Sequence, residues 1–305
     1  MWRRLQRCRP GRSTSPLLQV NITVVQFDPE KGAIDANLDY VERLLGEAAD
    51  RGGAAPDLVV LPELFASGYF FDSTAQAHAL AEPVPDGPTV RRLARWATET
   101  GATFVAGLPE RAGRPDRPAH YNSAVVVTPR GWLGTYRKTH LYYEETEHFA
   151  PGDTGFPVWT VADRAGRSYR LGVMVCFDWF FPESARALAA GGADIVAHPS
   201  NLVLPHCPDA MPVRALENGV FTATANRTGS ESNGRETLTF IGRSRICSPR
   251  AEVLAEAPGA GDAVIAAEVD PRLARDRRLN AYNHRDDDRR PALYAPGGAA
   301  GPGRA

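Results

Sequence analysis

The chain has 305 residues, 43% of them hydrophobic and 23% charged, with a formal net charge of −1. That composition supports a globular protein with a sizeable core, supplies no field for holding nucleic acid or an anionic membrane surface, and contains no apolar run near the roughly 20 residues that cross a bilayer. Cys8, Cys176, Cys207 and Cys247 lie far apart, which argues against a disulfide framework or zinc ribbon and for a reducing, cytoplasmic setting.

Residues 1–19 carry five arginines and no acidic residue. They lack the apolar centre of a secretory signal and read as a disordered basic extension. Residues 296–305, mostly Gly, Ala and Pro, read as a disordered tail. One domain is expected between them, over 20–295.

Val20 to Phe27 reads as a buried strand. Ile34, Leu38, Val41, Leu45 and Ala48 then share one helix face, and Gly52 and Gly53 end that helix. Asp57 to Leu61 is a second strand, delivering Glu63 after Pro62. A helix near Val90 to Thr100 leads to strands at Thr103 to Ala106, Ala124 to Thr128 and Trp132 to Tyr136, the last running into Arg137 and Lys138. Leu171 to Cys176 is a short apolar strand, followed by a helix over Pro182 to Ala190 with Pro182 in its first turn. A strand at Asp194 to Ala197, a helix near Met211 to Asn218, and β segments near Val220 to Ala225, Leu238 to Ile241, Arg243 to Cys247 and Val264 to Val269 complete the series. The alternation argues for an α/β fold.

Three residues stand at strand ends, where open α/β folds place their sites. Cys176 precedes a helix, whose dipole favours a thiolate; a buried cysteine of the core has the same look. Glu63 follows an apolar strand, where lost hydration raises a carboxyl towards neutrality and suits it to proton transfer; an ordinary loop acid is the alternative. Lys138 is either a solvated surface lysine or a cation placed where an oxyanion develops. Together they provide a nucleophile, a proton carrier and an electrophilic stabiliser.

The stretches LPELFASGY (Leu61 to Tyr69), YRKTHLYYEETEHFAPG (Tyr136 to Gly152) and GVMVCFDWFFPESAR (Gly172 to Arg186) resemble the three signatures of the nitrilase, or carbon–nitrogen hydrolase, superfamily. Similarity continues through HPSNLV, RALEN, ANRTG, FIGRS and DRRPALY, so that it covers roughly residues 20–295. The resemblance implies a four-layer α-β-β-α sandwich, a homodimer or higher homo-oligomer joined through helices, and a Glu63, Lys138, Cys176 triad. It also implies a fourth catalytic glutamate, best matched by Glu145, with Glu144 and Glu147 nearby. No metal or organic cofactor is implied. The backbone N–H of Phe177 joins Lys138 at the oxyanion, and Phe177, Trp179, Asn201 and Tyr69 are the expected substrate contacts.

Phe177 and Asp178 follow the cysteine where true nitrilases of the family tend to have Trp-Glu, and Trp179, Phe180 and Phe181 stand where carbamoyl-amino-acid hydrolases usually carry basic residues. The expected substrate is therefore a small neutral amide, with small nitriles or N-carbamoyl amines as the alternatives. A catalytically silent module on the same scaffold and an acyltransferase are further readings; the intact triad speaks against the first, and the lack of membrane segments against the second. His198, His206 and Cys207 have no zinc-like spacing, and His198 is expected to orient the loop with Asn201. Arg214 and Glu217 are spaced for an ion pair on a helix. The basic run near Arg272 to Arg278 reads as a solvated or subunit-facing helix rather than a nucleic-acid contact.

Overall fold

The computed structural model describes residues 18–114 and 117–294. The expected tail at 296–305 and all but the last two residues of the expected basic extension lie outside this range.

The first half of the chain forms strands β1 (Val20–Gln26), β2 (Leu58–Val60), β3 (Glu82–Pro83), β4 (Thr103–Arg114), β5 (Arg117–Thr128) and β6 (Gly131–Arg137), with helices α1 (Ile34–Asp50), α2 (Thr74–Ala79), α3 (Pro88–Thr100) and α4 (Glu145–His148). The second half adds β7 (Val158–Ala162), β8 (Ser168–Val173), α5 (Pro182–Ala190), β9 (Ile195–Pro199), α6 (Cys207–Asn218) and β10 (Phe221–Ala225). It continues with β11 (Ser230–Ser232), β12 (Thr237–Thr239), β13 (Arg245–Cys247), β14 (Val253–Glu256), β15 (Ala263–Val269) and α7 (Arg272–Arg275).

One sheet runs β15-β1-β2-β4-β5-β6, with β3 paired to β4; the other runs β14-β13-β10-β9-β8-β7. Each has a parallel centre, β1-β2-β4 and β8-β9-β10, extended by antiparallel neighbours. The two sheets face each other across one apolar core. Along β1, Val20, Ile22 and Val24 point into it, as do Leu58 and Val60 of β2 and Ala124 and Val126 of β5, against Leu171, Val173, Ile195 and Ala223 of the second sheet. The alternate residues Val25, Val59, Val125 and Val127 face outward onto Leu38, Val41 and Leu44 of α1 and Leu93 and Trp96 of α3. Burial on both faces explains why these strands read as unbroken apolar runs. Each side chain so buried stabilises the fold by about 2 kcal/mol. Helices α5 and α6 pack through Ala185, Leu188 and Met211, completing the expected four-layer α-β-β-α sandwich.

Several boundaries differ from the sequence reading. The strand expected to run to Cys176 ends at Val173, and Cys176–Phe180 is a 3-10 turn. Helix α6 begins at Cys207, four residues before the expected start, although it contains Pro212. That proline withholds an N–H from the helix, and Arg245 donates to the carbonyl of Pro208 instead. Leu238 belongs to the separate β11-β12 hairpin rather than to a main sheet. The basic run is helical only over Arg272–Arg275, and Arg272, Arg275 and Arg277 are tied to Asp270, Asp194 and Asp286 of the same chain. Strands β7 and β14 were not anticipated, although their sequences VWTVA and VLAE are mostly apolar. Among the described residues no helix is long and apolar enough to cross a membrane.

Candidate active site

The site lies on the seam between the sheets. After β2, Leu61, Pro62 and Phe65 are stitched to β4 through Leu61 N–H to the Val105 carbonyl, Gly107 N–H to Pro62 and Phe65 N–H to Gly107. Glu63 sits within this stitch, and Leu64 beside it takes a left-handed φ of 48°. Lys138 follows β6 directly. Its N–H donates to the Asn122 carbonyl over 2.8 Å, and its carbonyl accepts from Gly152 over 2.9 Å. A Cβ on Gly152 would lie 2.0 Å from the Arg137 carbonyl oxygen, so a side chain there would push the lysine segment aside. Glu145 opens α4.

The nucleophile candidate comes from the other sheet. Cys176 has φ 40°, a strained setting for a residue with a Cβ and of a kind that clusters at functional sites. Three contacts hold it there. His198 Nε2 donates to its carbonyl over 2.9 Å, Asp178 Oδ2 accepts the Val175 N–H over 2.8 Å, and Tyr136 Oη donates to the same carboxylate oxygen over 2.6 Å. Burial lowers His198 to about 4, so its ring is neutral. His198, expected to orient the loop with Asn201, lies within β9 rather than after it; its ring supports the Cys176 backbone and also reaches Ser200 Oγ, next to Asn201, over 3.1 Å.

Glu63, Lys138 and Glu145 form one buried cluster. Lys138 Nζ donates to Glu63 Oε1 over 2.7 Å and to Glu145 Oε1 over 2.6 Å. Asn122 Nδ2 adds a bond to Glu63 Oε1 over 2.7 Å and a longer one to Glu145 Oε2 over 3.4 Å. Glu63 Oε2, fully buried, has no hydrogen-bond partner among the described residues. Burial raises the Glu63 carboxyl to about 7, against the pull of Lys138 and with a further push from Glu145. Burial alone would lower Lys138, but the charges of Glu145 and Glu63 outweigh it and hold the ammonium charged. Burial, followed by the charge of Glu63, raises the Cys176 thiol well above its ordinary range. Burial thus opposes the thiolate that a helix dipole favours, and a thiol held neutral needs a base before it can attack.

A narrow cleft opens on Cys176, with about 20 Å³ of free volume and walls of Tyr142, Phe177, Trp179, Asn201, Leu202, Val203 and Leu204. Three of the four expected substrate contacts, Phe177, Trp179 and Asn201, line it. The fourth does not: Tyr69 is buried behind Glu145, and its hydroxyl is engaged with that carboxylate. Asn201 Nδ2 donates to the Glu63 carbonyl over 2.9 Å, bridging the two sheets, while its Oδ1 is buried without a partner. Arg214 forms the expected pair with Glu217 at 3.1 Å and also donates to the Trp179 carbonyl over 3.2 Å.

Glu144 faces Arg235 and Asn233, and Glu147 is exposed, so of the three neighbouring glutamates only Glu145 reaches Lys138. Asn122, Asp178 and Tyr136 were not anticipated. Asn122 had a signal, as a polar residue just before the apolar run Ala124 to Val127 within β5; the others follow only from tertiary contact. His206 is exposed and Cys207 lies in the core, and the described residues hold no group of three His, Cys, Asp or Glu side chains suited to a metal.

The family model for carbon–nitrogen hydrolases matches residues 21–278. The chain is 46% identical to a nitrilase of Pyrococcus abyssi over 90% of its own length and 99% of that protein's. It is 33% identical to the N-carbamoylputrescine amidase of Arabidopsis thaliana, covering 86% and 89% of the two chains. A solved amidase of the nitrilase superfamily from Nesterenkonia AN1 superposes with a TM-score of 0.67 at 29% identity, over 85% of this chain and 94% of that one. The chain belongs to the carbon–nitrogen hydrolase family and is a hydrolase of the nitrilase superfamily.

Proposed function

We propose that the protein hydrolyses a small neutral primary amide to a carboxylic acid and ammonia through a thioester on Cys176. The observation that carries this reading is that two buried acceptors of the site lack partners among the described residues, Glu63 Oε2 on the proposed base and Asn201 Oδ1 on the cleft wall. Unsatisfied buried acceptors are costly, and a primary amide brings two N–H donors to meet them, whereas a nitrile brings none. The cleft walls carry no charged side chain, which disfavours a substrate with a free carboxylate or ammonium. A cysteine-to-alanine mutant of the Nesterenkonia amidase has also been solved in complex with butyramide, a small neutral primary amide.

In the proposed reaction Glu63 takes the Cys176 proton as sulfur adds to the carbonyl carbon. Lys138 and the Phe177 N–H, at the start of a turn where backbone donors lack partners within the turn, stabilise the oxyanion. Collapse breaks the C–N bond, Glu63 returns the proton to nitrogen, and ammonia leaves. Water, deprotonated by Glu63, then adds to the thioester, releasing the acid and the thiol.

Nitrile hydrolysis by the same cysteine is the second reading, favoured by the 46% identity to the Pyrococcus nitrilase. Ammonia release with product mass, on matched amides, nitriles and N-carbamoyl amines, separates the two. Amide turnover that disappears in Cys176→Ala is the expected result. Preferential turnover of nitriles overturns the substrate assignment, and activity surviving in Cys176→Ala overturns the nucleophile.

A further inference from the structure

Glu63 and Glu145 share one lysine and one asparagine amide, but their remaining contacts differ. The Glu145 carboxylate accepts a third donor, the Tyr69 hydroxyl, at Oε1 over 2.7 Å; Glu63 has no counterpart to it. Tyr69 is itself fixed from behind. Its N–H donates to Glu231 Oε2 over 2.9 Å, as the Phe70 N–H does over 2.7 Å. Glu231 is buried and paired with the fully buried guanidinium of Arg227, which also reaches Asp28 over 2.7 Å. Arg227 lies 4.1 Å over the Phe240 ring, and Phe240 meets the Tyr69 ring edge-on at 6.0 Å.

We propose that Tyr69 is a positioning residue that decides which of the two carboxylates carries the proton. Its hydroxyl holds Glu145 as the permanent anion and leaves Glu63 to exchange protons, with the Arg227–Glu231 clamp fixing the phenol for that task. The inference rests on the reading of Glu63 as the base.

Two carboxylates beside a single ammonium titrate as a pair, and one proton can reside on either. A donor bound to the charged form of one of them breaks the tie. The phenol keeps its proton, because burial and then the charge of Glu145 raise it well above its ordinary range. The other titratable and charged groups facing the pair favour neither carboxylate as directly. Lys138 bonds both. The Cys176 thiol and the Tyr142 phenol stand at the cleft. On and beside α4, Glu144 is paired with Arg235, Glu147 is exposed, and His148 contacts Thr74.

The test is kcat/KM against pH for an amide substrate in wild type, Tyr69→Phe and Cys176→Ala. Removing the phenol destabilises the doubly ionised pair, so the last proton is held more tightly and now resides on Glu145. The acidic limb is expected to move up by about half to one pH unit, with KM unchanged. Glu231→Gln, which loosens the clamp but keeps the hydroxyl, is expected to shift the limb in the same direction by less. Infrared difference spectra give a readout independent of turnover. In the Tyr69→Phe background the protonated-carboxyl band is expected to vanish with Glu145→Gln, and in the wild-type background with Glu63→Gln. A limb that coincides with wild type, even if the rate falls, or a band that follows Glu63 in both backgrounds, overturns the proposal. Activity retained in Cys176→Ala refutes the underlying reaction instead, a separate outcome.

Discussion

Lys138 Nζ lies 2.7 Å from Glu63 Oε1 with both side chains shut off from solvent. Removing one partner of a buried pair leaves an uncompensated charge. Lys138→Met is therefore expected to destabilise the fold by about 3–5 kcal/mol and to lower kcat at least about 100-fold, as loss of an oxyanion donor does. Chemical denaturation and initial rates on the same preparation check both.

The raised Glu63 carboxyl gives a pH signature. If ionised Glu63 is the base, kcat/KM falls as the pH drops below about 7, and Glu63→Gln abolishes turnover without restoring a limb. Stability has the opposite sense. The folded value lies above the ordinary glutamate value of 4.5, so this group's contribution is full below that value and is lost as pH rises through about 7. Melting of Glu63→Gln relative to wild type is expected to improve between pH 5 and pH 8, in steps set by that window.

The three glutamates of the 144–147 segment are separable. Glu145→Gln is expected to reduce kcat about 100-fold with little change in KM, because it touches Lys138 rather than the cleft. Glu147→Gln, at an exposed position, is expected to stay within about twofold of wild type. Equal losses at both positions argue against the assignment of Glu145.

Gly107 packs directly on Glu63. A Cβ built there would lie 2.5 Å from Glu63 Cα and 2.6 Å from the Leu64 nitrogen. Gly107→Ala is expected to cost about 1–3 kcal/mol through overpacking and to lower kcat at least about tenfold by moving the carboxylate. Full activity with an unchanged melting temperature excludes a rigid Glu63 loop.

Much of this site was legible in the sequence because its chemistry hangs on strand ends. The apolar runs of β2 and β8 and the short segment after β6 announced where Glu63, Cys176 and Lys138 emerge. Strand-end position cannot convey how a side chain is supported. Asp178 appeared only as the second residue after the cysteine, yet it gathers Tyr136, Val175 and His140 into the turn that carries Cys176. Tyr69 is a related case. Its motif placed it near the chemistry, while its hydroxyl bonds Glu145 and its backbone is held by Glu231, 162 residues away. The end of β8 was overrun because Met174 and Val175 are as apolar as the strand before them, and only the turn geometry stops it.

Because Glu63, Lys138 and Asn122 hang from one sheet and Cys176 from the other, competence belongs to neither half of the chain alone. Residues 18–149 carry Glu63 and residues 158–269 carry Cys176 together with β15, the edge strand of the first sheet, so a chain divided in the link at 150–157 is expected to regain turnover only on reassembly. Ammonia release from two co-expressed halves would then count sandwiches that have closed correctly, making the enzyme a reporter of its own inter-sheet association.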